Sequence, residues 1–270
     1  MWPMACLTDP KFSEQRMELI KPLSLVYIID DIFDVYGSPD ELALFTDVVN
    51  RWDLEAAEKL PQHLRICFNA LHGITNEFAQ KVYLKHGCYP LNTLRKLWVQ
   101  LCNAFLVEAK WFASGHVPST EEYLKNGMIS SGVHVVLGHT WFLLNHDITT
   151  QTGGIMNDTH GLVSSVASIL RLSDDLQGYM EDDQNGHDGS YVECYMKQHR
   201  GISAEETRQH VSHMISGSWK RLNQECLAPF RFSSTFKKVC LNTARMVRRM
   251  YNSDGNHCFL DRENLMSYLL

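Results

Sequence analysis

Residues 25–37 read LVYIIDDIFDVYG, and this stretch decides the fold. Leu25, Val26, Ile28, Ile29, Ile32, Phe33 and Val35 make it apolar on nearly every side, without the alternation of a strand. An apolar helix of this kind belongs inside a helical assembly. Into it are set three acids, Asp30, Asp31 and Asp34. At roughly 100° per residue, Asp34 lies about 40° from Asp30 and Asp31 about 100° from it, so Asp30 and Asp34 point the same way. No Lys or Arg stands four residues on from any of them, as it would on a solvated surface helix. Carboxylates crowded on an apolar helix repel one another and pay desolvation. A hard divalent cation removes both costs. A solvated acidic face is the plainer reading, and it leaves the apolar flanks without a purpose.

The same periodicity extends outward. Ser13 to about Val35 reads as one helix, capped by Ser13, bent by Pro22 and ended by Gly37. Ser38-Pro39-Asp40-Glu41 then starts the next, with Ser at the N-cap, Pro at the first position and Glu at the third. Further helices are expected over 39–50, 62–86, 92–115, 119–147, 153–182, 203–228, 233–251 and 261–269. Turn chemistry separates them, as at Gly87-Cys88-Tyr89-Pro90 and Asn252-Ser253-Asp254-Gly255. No composition shift marks a second domain. The expectation is one all-α unit, an antiparallel helical bundle.

Composition narrows the partners. The chain has 270 residues, is 44% hydrophobic and carries a net charge of −6, which argues against nucleic acid. No apolar run is long enough to span a membrane. The eight cysteines are irregularly spaced with no C-x-x-C pair, as expected of reduced thiols. The start, MWPMACLTDP, shows no signal or transit segment, so a cytoplasmic location is expected, or a plastid one if a longer parent carries a transit peptide. The histidines, including His134, His139 and His146, form no H-E-x-x-H or H-x-E pattern and read as core or surface residues.

A second acidic cluster follows the apolar run 162–172. In LRLSDDLQGYMED, residues 170–182, Arg171 lies about +60° and Glu181 about −20° from Asp174, with Asp182 near +80°. Arg171, Asp174 and an acid two turns later share a face. That set suits a metal ion beside an anion, with the Arg fork on phosphate oxygens. The plainer reading is a helix dissolving into an acidic loop. Asp182 to Glu193 has the length of a calcium loop, but Gly186 and His187 stand where a ligand and a glycine belong.

Asp30-Asp31-Ile32-Phe33-Asp34 resembles the DDxxD motif of plant class I terpene synthases, and residues 170–182 resemble their second metal motif, (N/D)DxxSxxxE. The stretches 16–53, 102–139 and 185–201 resemble the family as well, so the likeness spans nearly the whole chain. Its wording is closest to synthases of acyclic tertiary alcohols, the linalool and nerolidol type. The resemblance implies a metal-binding catalytic domain that uses Mg²⁺, three ions in the family, with Mn²⁺ as an alternative. Asp30 and Asp34 would ligate metal with Asp31 supporting. Asp174 and Asp182 would bind the remaining ion, and Arg171 would hold the diphosphate. Two positions depart from the pattern: Gly178 replaces a Ser/Thr ligand, and Asp182 replaces a Glu. The family's N-terminal helical domain and its upstream Arg-x-Arg segment are absent from these residues, which suggests a truncated product.

The implied reaction is ionisation of geranyl or farnesyl diphosphate to an allylic cation, quenched by water to linalool or nerolidol, in a monomer. Aromatic candidates for the pocket are Trp2, Phe33, Tyr179 and Tyr195, with core packing as the alternative for each. Ser131 and Gly132 interrupt an apolar helix and resemble the family's helix break that aims carbonyls at the cation. Two rivals stand beside this reading. A chain-elongating prenyl transferase should show a second DDxxD, which DDLQGYMEDD lacks. A catalytically impaired synthase would serve only as a helix-rich interaction protein.

Overall fold

In the computed structural model, residues 2–144, 161–181, 189–229 and 232–251 are described. They form helices α1 (Trp2–Cys6), α2 (Ser13–Asp31), α3 (Pro39–Arg51), α4 (Leu54–Ala57), α5 (Gln62–His86) and α6 (Leu91–Ser114). These are followed by α7 (Thr120–Ser130), α8 (Val133–Leu144), α9 (Leu162–Glu181), α10 (Tyr191–Gln198), α11 (Ala204–Leu227) and α12 (Ser234–Tyr251). The described residues contain no strand, as the periodicity led us to expect. The expected helix over 261–269 lies outside them.

Local chemistry sets the boundaries. Ser38 accepts from the Glu41 amide while Glu41 reaches back to the Ser38 amide, and the same reciprocal cap opens α7 at Ser119 and α11 at Ser203. Gly87 and Gly115, both left-handed, close α5 and α6. Pro22 sits inside α2 without ending it. Three short helices, α1, α4 and α10, escaped the sequence reading because each is too short to show a period.

α8 is the innermost helix. Val133, Val135, Val136, Leu137, Trp141, Phe142 and Leu143 are all buried, together with His139 and Thr140. Around it α2, α6, α9 and α12 pack, and α9 also lies against α7 and α11. Trp98 of α6, Phe45 of α3, Phe68 of α5 and Phe236 of α12 fill the spaces and are fully buried. At the rim, Glu14–Lys85, Glu18–Lys81 and Lys21–Glu77 ion pairs join α2 to α5 at 2.6, 2.8 and 2.9 Å. Exposed pairs of this kind fix register more than they stabilise. No single helix among the described residues is long and apolar enough to cross a membrane.

The expected single helix over 119–147 is in fact two. Gly132 takes φ +70° and bends α7 from α8 by 40°. A Cβ on Gly132 would lie 2.6 Å from Val26 Cγ1 of α2. The break therefore does more than interrupt a ladder: it lets α8 start in close contact with α2, just before the acids of that helix.

Candidate active site

The first acidic cluster sits where α2 changes its winding. Residues Ile32–Tyr36 form a π turn, closed by the Gly37 amide donating to Ile32 O at 2.8 Å. A π turn holds more residues per revolution than an α-helix, so each advances by less than 100°. Asp34 thus comes closer to the azimuth of Asp30 than ideal α geometry gives. The desolvation expected for all three acids applies to only one: Asp31 and Asp34 are exposed, and Asp30 is half-buried. Burial, reinforced by the Asp34 charge, pushes the Asp30 carboxyl up to about 7; Arg171 pulls it down, and Asp31 and Glu108 push it up further.

The second cluster is on α9. Asp174 is exposed, whereas Asp175 is 6% exposed and points inward. Asp175 Oδ1 lies 3.6 Å from Arg171 Nη1 and accepts from Tyr123 OH at 3.0 Å. Its Oδ2 accepts from the Tyr191 amide at 3.1 Å. Burial raises the Asp175 carboxyl to about 6 against the pull of Arg171 and of these two donors. Arg171 also donates from Nη2 to Ser130 Oγ at 2.9 Å and from Nε to Gly127 O at 3.4 Å, with Glu108 Oε1 at 3.9 Å. Burial opposes the Arg171 charge, but Tyr123, Asp175, Glu108 and Asp174 outweigh it and hold the guanidinium firmly protonated.

The two clusters are therefore one electrostatic unit. Arg171 on α9 acts on Asp30 on α2, and Glu108 on α6 acts on both. Sequence reasoning missed Glu108, Ser130, Tyr123 and the inward role of Asp175. The Arg171/Asp175 spacing of four was a usable signal. The others come from α6 and α7, and nothing in their spacing links them to residue 171. Asp182, the remaining expected ligand, lies outside the described residues.

The aromatic candidates are dispersed. Phe33 is buried between Phe45 and Phe105, with centroids at 6.2 and 5.5 Å. Trp2 is buried on α1, which packs against α12. Tyr195 stacks on His210 at 4.0 Å and contacts His199 at 4.2 Å. Tyr179 packs beside the small cluster of Tyr123, Leu172 and Tyr191. Ser131 Oγ is turned to Met128 O at 2.7 Å.

Among the described residues, no three Asp, Glu, His or Cys side chains converge into a ready-made metal cage. The donors nonetheless fit Mg²⁺. They are hard carboxylate oxygens, and Mg²⁺ in phosphate chemistry takes one or two protein carboxylates and completes its shell with phosphate and water. Asp30, held near 7 beside Asp34, gains by a neighbouring cation.

This has a measurable consequence for the metal-free chain. The folded Asp30 lies above its ordinary 3.8, so between those values the folded chain holds more protons than the unfolded one. Stability falls as pH rises through that window and returns on acidification. In chelator-treated protein, the melting temperature should decline between about pH 4 and 7, and Asp30→Asn should flatten that decline. Identical profiles for the two proteins contradict the burial and repulsion described for Asp30.

Comparison with known proteins places this arrangement. Residues 1–221 match the model described as "Terpene synthase family, metal binding domain". A neryl diphosphate diphosphatase of Glycine max is 55% identical over 256 residues, 95% of this chain and 48% of the relative. An S-(+)-linalool synthase of Arabidopsis thaliana is 53% identical over 255 residues, 94% of this chain and 45% of the relative. Both relatives are named chloroplastic. Among solved structures, isoprene synthase from grey poplar, in complex with three Mg²⁺ ions and dimethylallyl-S-thiolodiphosphate, superposes with a TM-score of 0.86. It is 34% identical and covers 99% of this chain and 50% of its own. The chain thus spans about half the length of the relatives it matches. With two acidic clusters facing one half-buried arginine in an all-helical bundle, and a family match over most of its length, this chain belongs to the terpene synthase family, in its metal-binding domain.

Proposed function

We propose that the chain carries the ionising chemistry of a terpene synthase acting on geranyl or farnesyl diphosphate, with linalool or nerolidol as product. The observation that carries this reading is the electrostatic convergence of Asp30, Arg171 and Asp174 from helices about 140 residues apart. The diphosphate analogue and Mg²⁺ bound by the isoprene synthase relative support the same substrate class.

Asp30 and Asp34 would hold metal on one side, with Asp31 beside them, and Asp174 with Asp182 on the other. Mg²⁺, or Mn²⁺ in its place, supplies Lewis acidity to the leaving diphosphate. Arg171 donates charge-assisted hydrogen bonds to phosphate oxygens, and its buried partners keep it charged while it does so. The allylic C–O bond breaks with both electrons leaving on the diphosphate. Water then adds at the tertiary carbon and loses a proton. The chain works as a monomer, in the cytoplasm or in a plastid. The test is purified protein with Mg²⁺ and each diphosphate, followed by gas chromatography. A volatile tertiary alcohol supports the reading. A longer prenyl diphosphate, or no product above a buffer control, overturns it.

Gly178 provides a second check. It stands where the family pattern has a hydroxyl ligand, and a Cβ there meets nothing within 4 Å. Gly178→Ser should therefore be accepted without strain and should also favour the helix. A restored oxygen ligand is expected to tighten Mg²⁺ about tenfold, read from the Mg²⁺ dependence of pyrophosphate binding. Unchanged dependence removes residue 178 from the metal site.

A further inference from the structure

The position of Arg171 is set by the last turn of α7. Its side chain runs directly over Gly127, where a Cβ would stand 3.0 Å from Arg171 Cγ and 3.1 Å from Nε. The Gly127 carbonyl accepts from Arg171 Nε at 3.4 Å, and it also accepts from the Ser131 amide at 3.0 Å where α7 ends. One turn on, Ser130 Oγ accepts from Arg171 Nη2 at 2.9 Å and donates its own proton to Glu108 Oε1 at 2.7 Å. Asn126 Nδ2 donates to the same Glu108 oxygen at 3.1 Å, and to Ala104 O at 3.0 Å. Glu108 is thereby held in place, and its carboxylate oxygen at 2.7 Å takes the single hydroxyl proton of Ser130 in preference to the Gly127 carbonyl at 3.3 Å, so the oxygen lone pairs face the guanidinium. Asp175 bounds the other side at Nη1.

A guanidinium is a planar fork, and the plane in which it is held decides what it can present to an anion. We infer that Gly127 and Ser130 are positioning residues that set the plane of Arg171 for diphosphate: Gly127 by leaving room for the side chain, Ser130 by a hydroxyl whose direction Glu108 fixes. The inference rests on the diphosphate reading above. Neither residue touches the anion; both act through Arg171.

The test is calorimetric titration of the full chain with inorganic pyrophosphate in saturating Mg²⁺. It compares wild type, Ser130→Ala and Gly127→Ala, and each of these substitutions again in an Arg171→Lys background. Each single substitution should weaken pyrophosphate about tenfold, the scale of one hydrogen bond to a charged group. In the Arg171→Lys background the same substitutions should change the dissociation constant by less than about twofold, since a lysine has no plane to set. A merely structural role would weaken binding equally in both backgrounds, and that result overturns the inference, as does wild-type affinity in both single variants. If Gly127→Ala fails to fold by circular dichroism, Ser130→Ala decides alone. Wild-type protein that binds no pyrophosphate overturns the diphosphate reading itself, and the inference with it.

Discussion

Asp30→Asn should lower turnover of geranyl diphosphate by about a thousandfold, the scale on which removing one preorganised electrostatic group slows charge-separating chemistry. The substitution keeps size and shape and removes only the charge. The same change should raise the melting temperature of the metal-free chain at neutral pH. Asp30 is half-buried, beside Asp34, and its ionised form is disfavoured there. A loss of activity with a gain of stability is the signature of a residue kept for function at a cost to folding. Asp40→Asn, at an exposed acid on α3, should change neither quantity. Turnover above one-tenth of wild type in Asp30→Asn would remove Asp30 from the metal role. A fall in melting temperature would show that its charge is satisfied within the protein.

Gly132→Ala should destabilise the fold by about 2–5 kcal/mol. Two terms combine: about 1–2 kcal/mol for an L-residue in the left-handed region, and about 1–3 kcal/mol for overpacking against Val26. For a chain of this size that lowers the melting temperature by roughly 4–20 °C. Gly87→Ala separates the two terms, because Gly87 has φ +72° but nothing within 4 Å of a Cβ. It should cost only the backbone term. Adding Val26→Ala to Gly132→Ala should then cost less than the sum of the single changes, since the methyl that collides is gone. Strict additivity would show that Gly132 serves the bend alone and not the approach of α8 to α2. The consequence reaches the site, because α2 carries Asp30 one turn beyond Val26.

Much of this was written in local sequence. The helical class could be read from residues 25–37 because an apolar helix with three acids admits few environments. The cap of α3 could be read residue by residue, since a capping box is closed within four positions. The break at residues 131–132 was legible as a Ser-Gly interruption, but its φ and its contact with Val26 were not, because that contact spans 106 residues of chain.

The acids themselves show the same division. The aspartates that bring negative charge to the site were legible in the sequence alone, through two motifs whose spacing lies within one helix each, whereas Glu108 of α6 was not. Which of those acids is desolvated was decided only in the tertiary structure. Asp30 and Asp175 are drawn inward while Asp31, Asp34 and Asp174 stay exposed, and that sorting depends on a π turn and on neighbours from α6, α7 and α10. The partners of Arg171 were likewise invisible until the helices packed. Gly127, Ser130 and Glu108 meet it across 44, 41 and 63 residues of chain, distances over which no periodicity carries information.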